Sequence, residues 1–301
     1  MKTHSANRLV IAVTSRALFN LDKDNQIFED KGEREYVRYQ QEHEEDVLQA
    51  GTALPLVKAL LGINKKIKEP LIEVILISQN DPDTSIRVFR SIESHKLNIE
   101  RAAFVTGGNA CDYLESFSAN LFLSANDTQV AKALKLGYPA AKVWPVSLNR
   151  DNGGLNDPNE NKVRIAFDGD AVLFGDETDK VFEKKGLPGA QQYEELLQHV
   201  LLRPGPLKGF LVALHKIQQK FPRKQCPIRT ALITARNTFL LKRPIRTFRA
   251  WKVRVDEAFF LGGMTKQKIL QVFRPHIFFD DKPENFEGWK GAQPLNVNQR
   301  G

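Results

Sequence analysis

Ile165-Ala166-Phe167-Asp168-Gly169-Asp170-Ala171 (IAFDGDA) restates, 154 positions later, the pattern of Ile11-Ala12-Val13-Thr14-Ser15-Arg16-Ala17 (IAVTSRA). In both, an apolar run of strand-like composition breaks at once into polar residues. Outward from this pair, further matches follow in the same order. IFEDKG from Ile27 pairs with VFEKKG from Val181, VILIS ending at Ser78 with ALIT ending at Thr234, and IRVFR from Ile86 with IRTFR from Ile245. FVTGG ending at Gly108, followed by ANLFLSA from Ala119, then pairs with FFLGG ending at Gly263, followed by PHIFFDD from Pro275. Any two α/β domains share a strand–helix rhythm, but collinear matches that include IRxFR and Gly-Gly point to a tandem duplication.

Each half reads as apolar strand, charged insertion, amphipathic helix, apolar strand, helix, short strand with Gly-Gly, helix, apolar strand. Leu54, Val57, Leu60 and Leu61, and again Leu207, Phe210, Leu211 and Leu214, have the spacing of one buried helix face. Short β-rich runs alternating with helices predict parallel strands joined by right-handed crossovers, an α/β sandwich. Residues 149–162, NRDNGGLNDPNENK, are rich in Asn, Asp, Gly and Pro and read as the linker. The expected domains are therefore residues 1–150 and 151–301.

A chain of 301 residues, 42% hydrophobic and 27% charged, has ordinary globular composition. No stretch approaches the roughly 18 apolar residues of a membrane span, and the N-terminus lacks the apolar core of a signal peptide. Cys111 and Cys226 stand far apart with no metal-ligand spacing, so neither a disulfide framework nor a zinc site is suggested, and a soluble cytoplasmic protein is expected. The net charge of +8 is unevenly spread: residues 1–155 carry 19 Lys+Arg against 20 Asp+Glu, residues 156–301 carry 25 against 16. The excess in the second half reads either as a solvated basic face or as an anion-attracting cleft.

Open α/β sheets hold ligands at the carboxyl ends of their strands. In the second half those ends carry chemistry: Asp168 and Asp170 after VRIAF, Thr234 after ALI, Asp280 and Asp281 after HIFF, and Lys266 after Gly262-Gly263. Taken alone, Asp280-Asp281 would read as helix caps or turn residues, and a lysine in a first helical turn as a solvated side chain. Acids at matched strand ends favour a site instead. Lys268 competes with Lys266. Arg236 and Asn237 read equally as contacts to phosphate or base and as caps of the next helix.

The series D-x-D-x-V, T, K, D-D resembles the haloacid-dehalogenase-like phosphohydrolases. IAFDGDAVLF, LITARN, FFLGGMTK, HIFFDD and the N-terminal IAVTSRALF are similar to the cytosolic 5′-nucleotidases of type I over nearly the whole chain. The resemblance implies a Rossmann-like haloacid-dehalogenase fold with a small helical cap, inserted near residues 175–206, and magnesium-dependent hydrolysis of a nucleoside 5′-monophosphate. It makes Asp168 the nucleophile that forms an aspartyl-phosphate and Asp170 the general acid/base. Thr234 and Lys266 would bind the transferring phosphoryl group and offset its charge, with Arg236 and Asn237 as substrate contacts. Asp168, the Asp170 carbonyl, and Asp280 or Asp281 would hold Mg2+ through hard oxygen ligands.

At the aligned positions the first half has Thr14, Arg16, Ser78, Ala110 or Cys111, and Ser124-Ala125, so every carboxylate is missing. It reads as a degenerate copy that contributes packing or part of the substrate pocket. Arg16 could hold a phosphate or nucleotide effector, or pair with a neighbouring acid. P-loop, dinucleotide, serine-hydrolase and zincin signatures are absent. The expected partner is a small nucleoside monophosphate, with no nucleic acid and no membrane. Base and sugar preference, effectors and homo-oligomerisation stay open. Two other readings remain: a phosphatase of another small phosphomonoester such as a sugar phosphate, separable only through the cap, and a non-catalytic nucleic-acid-binding protein, which four clustered carboxylates oppose.

Overall fold

Buried on both faces, the strands of a parallel sheet read as continuous apolar runs, and the runs seen in the sequence form such strands. The computed structural model describes residues 8–65, 67–143, 162–282, 285 and 293–296; all but the last residue of the expected linker lies outside them. The chain divides into two compact units, Met1–Tyr138 with Lys142–Val146, and Pro139–Ala141 with Ser147–Gly301.

The first run of elements is β1 (Leu9–Val13), α1 (Ser15–Leu18), α2 (Asp22–Lys31), α3 (Glu33–Glu42), α4 (Leu54–Asn64), β2 (Ile72–Ser78), α5 (Ile86–Ser94), β3 (Arg101–Phe104), β4 (Leu121–Ser124), α6 (Asp127–Lys135) and β5 (Ala140–Val143). Strand β1 pairs in parallel with β2, Ile11 opposite Val74, and with β4, Ile11 opposite Leu121, while β2 pairs with β3. The second run is β6 (Val163–Phe167), α7 (Glu177–Leu196), α8 (Lys208–Gln218), β7 (Ile228–Thr234), α9 (Lys242–Ala250), β8 (Glu257–Phe260), α10 (Gln267–Phe273), β9 (Ile277–Asp280) and β10 (Gln293–Asn296). Here β6 pairs in parallel with β7 and β9, β7 with β8, and β9 with β10.

Both units thus set their first strand between the second and the fourth, with the third outside the second. This is the parallel, Rossmann-like α/β architecture expected. Helices α4 and α8 bury the apolar faces their spacing predicted, Leu60 and Leu214 included. In the second unit Ala166, Ala231, Ile233 and Phe278 of the sheet pack with Leu270 and Phe273 of α10.

The units differ in detail. After Gly107-Gly108 the first unit has only a 3-10 turn, Ala110–Tyr113, where the second has α10. The charged insertion is two helices broken at Gly32 in the first unit, and one helix kinked at Gly186 in the second; both glycines have positive φ, +81° and +64°. Within the expected cap, residues 175–206, the helix α7 stops at Leu196. Gly51 and Gly205 mark equal close approaches: each N–H donates at 2.9 Å, to Leu18 O and Leu173 O, and a Cβ at either would lie under 3 Å from backbone atoms.

Candidate active site

At the carboxyl ends of β6, β7 and β9 the second unit gathers Asp168, Thr234 and Asp280 at one edge. Asp168 is the first residue past β6. Its N–H donates to Phe279 O at 2.8 Å and its Oδ1 accepts from Gly169 N at 2.7 Å, which fixes the carboxylate at the start of the turn Gly169–Leu173. That turn closes with Phe174 N donating to Gly169 O, five residues back, and holds Ala171 at φ +59°. In the first unit Phe19 N donates to Ser15 O, four residues back. The wider turn sets Phe174 155 positions after Phe19, a local shift that is gone by Val181, again 154 positions after Ile27.

Lys266, at the N-terminus of α10 and 5% exposed, bridges two acids: its Nζ is 2.8 Å from Asp168 Oδ2 and donates to Asp280 Oδ2 at 2.6 Å. Asp280, fully buried, also accepts from Lys282 N at 2.9 Å and Asn285 Nδ2 at 2.8 Å. Oxygens of Asp168, Asp280 and Asp281 lie within 4.8 Å of one another. Among the described residues Asp281 Oδ1 is buried without a hydrogen-bond partner. Three carboxylates against one ammonium leave negative charge in a low-dielectric place. Burial pushes the Asp168 carboxyl well up, Lys266 opposes it and Asp280 adds to it. Burial, then Asp280, pushes Asp281 up to about 6. Burial alone would lower Lys266, but Asp168 and Asp280 outweigh it and hold the amine above its ordinary value. An oxygen-only, acid-rich cradle with one unsatisfied buried oxygen fits a hard divalent cation.

Thr234 is buried beside the turn, its Oγ1 accepting from Arg236 N at 3.2 Å; a Cβ at Gly169 would sit 3.1 Å from it, so glycine there lets the turn approach the hydroxyl. Asp170 is held on both oxygens by Arg236, Nε at 2.7 Å and NH2 at 2.6 Å. The third nitrogen of Arg236 lies 3.1 Å from Glu194 Oε1 on α7, which also accepts from Arg243 NH1 at 2.9 Å and Thr178 Oγ1 at 2.6 Å. Near Asp170, burial and that carboxylate push Asp179 up, and Lys282 Nζ pairs with it at 3.0 Å.

Of the residues expected from sequence, Asp168, Thr234, Lys266, Asp280 and Asp281 come together, with Asp170 beside them under the guanidinium of Arg236. Asn237 caps the turn Thr238–Leu240, accepting from Phe239 N at 3.1 Å. Lys268 is exposed. Arg16 belongs to the first unit, where NH1 donates to Asn25 Oδ1 at 2.9 Å and NH2 lies 3.7 Å from Asp22. Sequence reasoning missed Glu194, Arg243, Thr178 and Asp179. The one available signal was Glu194, an acid on the same helix face as Ala190, where an acid is buried only with a partner.

In the first unit the corresponding strand ends are neutral. Thr14 N donates to Leu123 O at 3.0 Å, as Asp168 N does to Phe279 O, and Thr14, Ser78 and Ser124 stand where the second unit has Asp168, Thr234 and Asp280. The insertion helices repeat a buried cluster with the acid moved: Gln40 donates to Asp24 at 2.6 Å and Arg87 to Asp24 at 2.7 Å, against Thr178 and Arg243 on Glu194.

A family model described as 5′-nucleotidase matches residues 1–295. The chain is 36% identical over 295 residues to human cytosolic 5′-nucleotidase 1B, a match that covers 94% of this chain and 47% of that protein. It therefore spans about half the length of that curated relative. No solved structure matches the chain. Among the described residues no helix is long and apolar enough to cross a membrane.

Proposed function

The chain belongs to the 5′-nucleotidase family, and from that premise we propose that it is a magnesium-dependent phosphomonoesterase of the cytoplasm that hydrolyses nucleoside 5′-monophosphates. The observation that carries the reading is Lys266 seated between Asp168 and Asp280, 2.8 and 2.6 Å from their oxygens, at the strand edge where Asp281 keeps a buried oxygen free. The second unit is the catalytic one. The first, with the same strand order and no acids at its strand ends, is a degenerate copy descended from a duplication, and α7 with its flanking loops is the cap.

Phosphoryl transfer needs positioning and charge neutralisation more than covalent activation. Asp168 attacks phosphorus in line with the ester oxygen; the P–O5′ bond breaks, Asp170 gives that oxygen its proton, and the nucleoside leaves. Water then attacks phosphorus, Asp170 takes the water's proton, the bond to Asp168 breaks, and inorganic phosphate departs. Thr234 Oγ1 and Lys266 Nζ donate to the phosphoryl oxygens as charge spreads over them. Asp168, the Asp170 carbonyl and Asp281 or Asp280 would hold Mg2+, which when bound would supply charge neutralisation for the phosphate and the acids. Arg236 holds Asp170 on both oxygens before substrate arrives, and Asp170 carries the proton it gives to O5′ once substrate binding releases one of those two hydrogen bonds.

Phosphate release from a panel of nucleoside monophosphates and sugar phosphates tests the class, with and without magnesium. Nucleotides as preferred substrates, with turnover abolished by a chelator, meet the proposal. Turnover confined to sugar phosphates overturns the nucleotidase reading, and metal-independent turnover overturns the role given to Asp281.

A further inference from the structure

The strand edge of the first unit opens on a cavity of about 510 Å³, within the 300–1,000 Å³ of ordinary small-molecule sites. Its floor is a closed set of neutral hydrogen bonds. Ser15 and Ser78 hydroxyls meet at 2.9 Å; Ser124 Oγ donates to Gln129 Oε1 at 2.6 Å, and Gln129 Nε2 donates to Gln79 Oε1 at 2.5 Å. Above it α2 and α3 form a wall in which Asp24 is neutralised by Arg87 at 2.7 Å.

The charges that remain decide what fits. Among the described lining residues Arg16 is the one cation and is already engaged by Asn25, while Glu33 and Asp81 lie on the same lining. An anion would therefore meet no surplus of positive charge. Among the described residues, the acidic group compact enough for a metal ion lies in the other unit. The lining instead offers hydroxyls and amides on the floor, an aromatic pair, Phe28 and Tyr36, edge to face at 5.7 Å, and, three residues past β2, the carboxylate of Asp81, which accepts from Asp83 N at 2.8 Å and Thr106 Oγ1 at 3.3 Å and keeps further lone pairs for a ligand. Phe28 is 49% exposed, apolar surface left open at this cavity. A carboxylate at the carboxyl edge of a parallel sheet is suited to accept hydrogen bonds from ribose hydroxyls, and an aromatic ring is suited to a base.

We infer that this cavity binds an uncharged ribonucleoside, with the base against Phe28 and Tyr36 and the ribose hydroxyls toward Asp81. The site holds the ligand without altering it, because it has neither nucleophile nor metal cradle. The inference stands on the first unit alone and does not require the proposed hydrolysis in the second.

The test is calorimetric titration of adenosine into the full chain, comparing wild type with Phe28→Ala, Asp81→Asn and Asp168→Asn. Phe28 is half exposed, and asparagine can keep the cap that Asp81 provides to Asp83 N, so both first-unit variants preserve the fold. Adenosine should bind wild type and Asp168→Asn with equal affinity, Phe28→Ala and Asp81→Asn should each weaken it about tenfold, and inorganic phosphate should not displace it. Absence of binding, loss in Asp168→Asn with retention in the first-unit variants, or displacement by phosphate would each overturn the inference.

Discussion

Arg236 holds Asp170 by two hydrogen bonds, 2.7 and 2.6 Å long, while its third nitrogen faces Glu194 at 3.1 Å. All three side chains are buried, so the guanidinium balances an acid at the strand edge and another on α7. Both acids together hold its proton more tightly than burial alone would allow.

Removing that cation while leaving both acids should be costly. Arg236→Ala is expected to lower unfolding stability by about 3–5 kcal/mol, the usual cost of stranding buried charge. Glu194→Gln, which keeps the shape and a hydrogen-bonding oxygen, should cost less. Denaturant unfolding of the two variants beside wild type checks the order.

Lys266 and Lys268, two positions apart at the start of α10, should behave differently. Lys266→Ala removes the donor that touches Asp168 and Asp280, and should reduce kcat by roughly 10²–10³. Lys268→Ala alters an exposed side chain, and its kcat should stay within about twofold of wild type. Steady-state kinetics on the best nucleotide distinguishes them; equal losses would mean that Lys266 does not touch the reacting group.

Away from the site, His276 is half-buried. Its Nδ1 accepts from Arg164 N at 3.1 Å, and burial, helped by the Arg164 charge, pushes its pKa down to about 4. In the unfolded chain the value is about 6.5. Between these values the unfolded state binds the extra proton, so the stabilisation is fully present above 6.5 and is lost as pH falls toward 4, with a limiting slope of about 1.4 kcal/mol per pH unit. His276→Asn retains an acceptor for Arg164 N without titrating. Its stability relative to wild type should rise as pH falls from 7 to 5, as read by urea unfolding at each pH.

The sequence made the strand ends legible because buried parallel strands are apolar throughout: VRIAF, ALI and HIFF announce themselves, and the polar residue that ends each run is the one at the edge. Lys266 was legible by its spacing from Gly262-Gly263. The Glu194–Arg236 pairing was not, because the two residues are 42 positions apart and meet only through tertiary packing. The wide turn at Gly169–Leu173 was equally hidden, since nothing in DGDAVL marks Ala171 for a positive φ. In the first unit, ACDY takes a short turn where the repeat pattern predicted a helix like α10. Asn109 caps that turn through Cys111 N at 3.2 Å, and the chain is back in β4 by Leu121.

The central claim is that Asp168 is the nucleophile of a nucleotide phosphatase, and magnesium-dependent phosphate release by wild type beside Asp168→Asn tests it most directly. Asparagine keeps the side chain's shape and the acceptor for Gly169 N but cannot attack phosphorus. The account predicts steady nucleotide turnover in wild type and a loss of at least about a thousandfold in the variant, with folding unchanged; turnover by Asp168→Asn near the wild-type rate would contradict it.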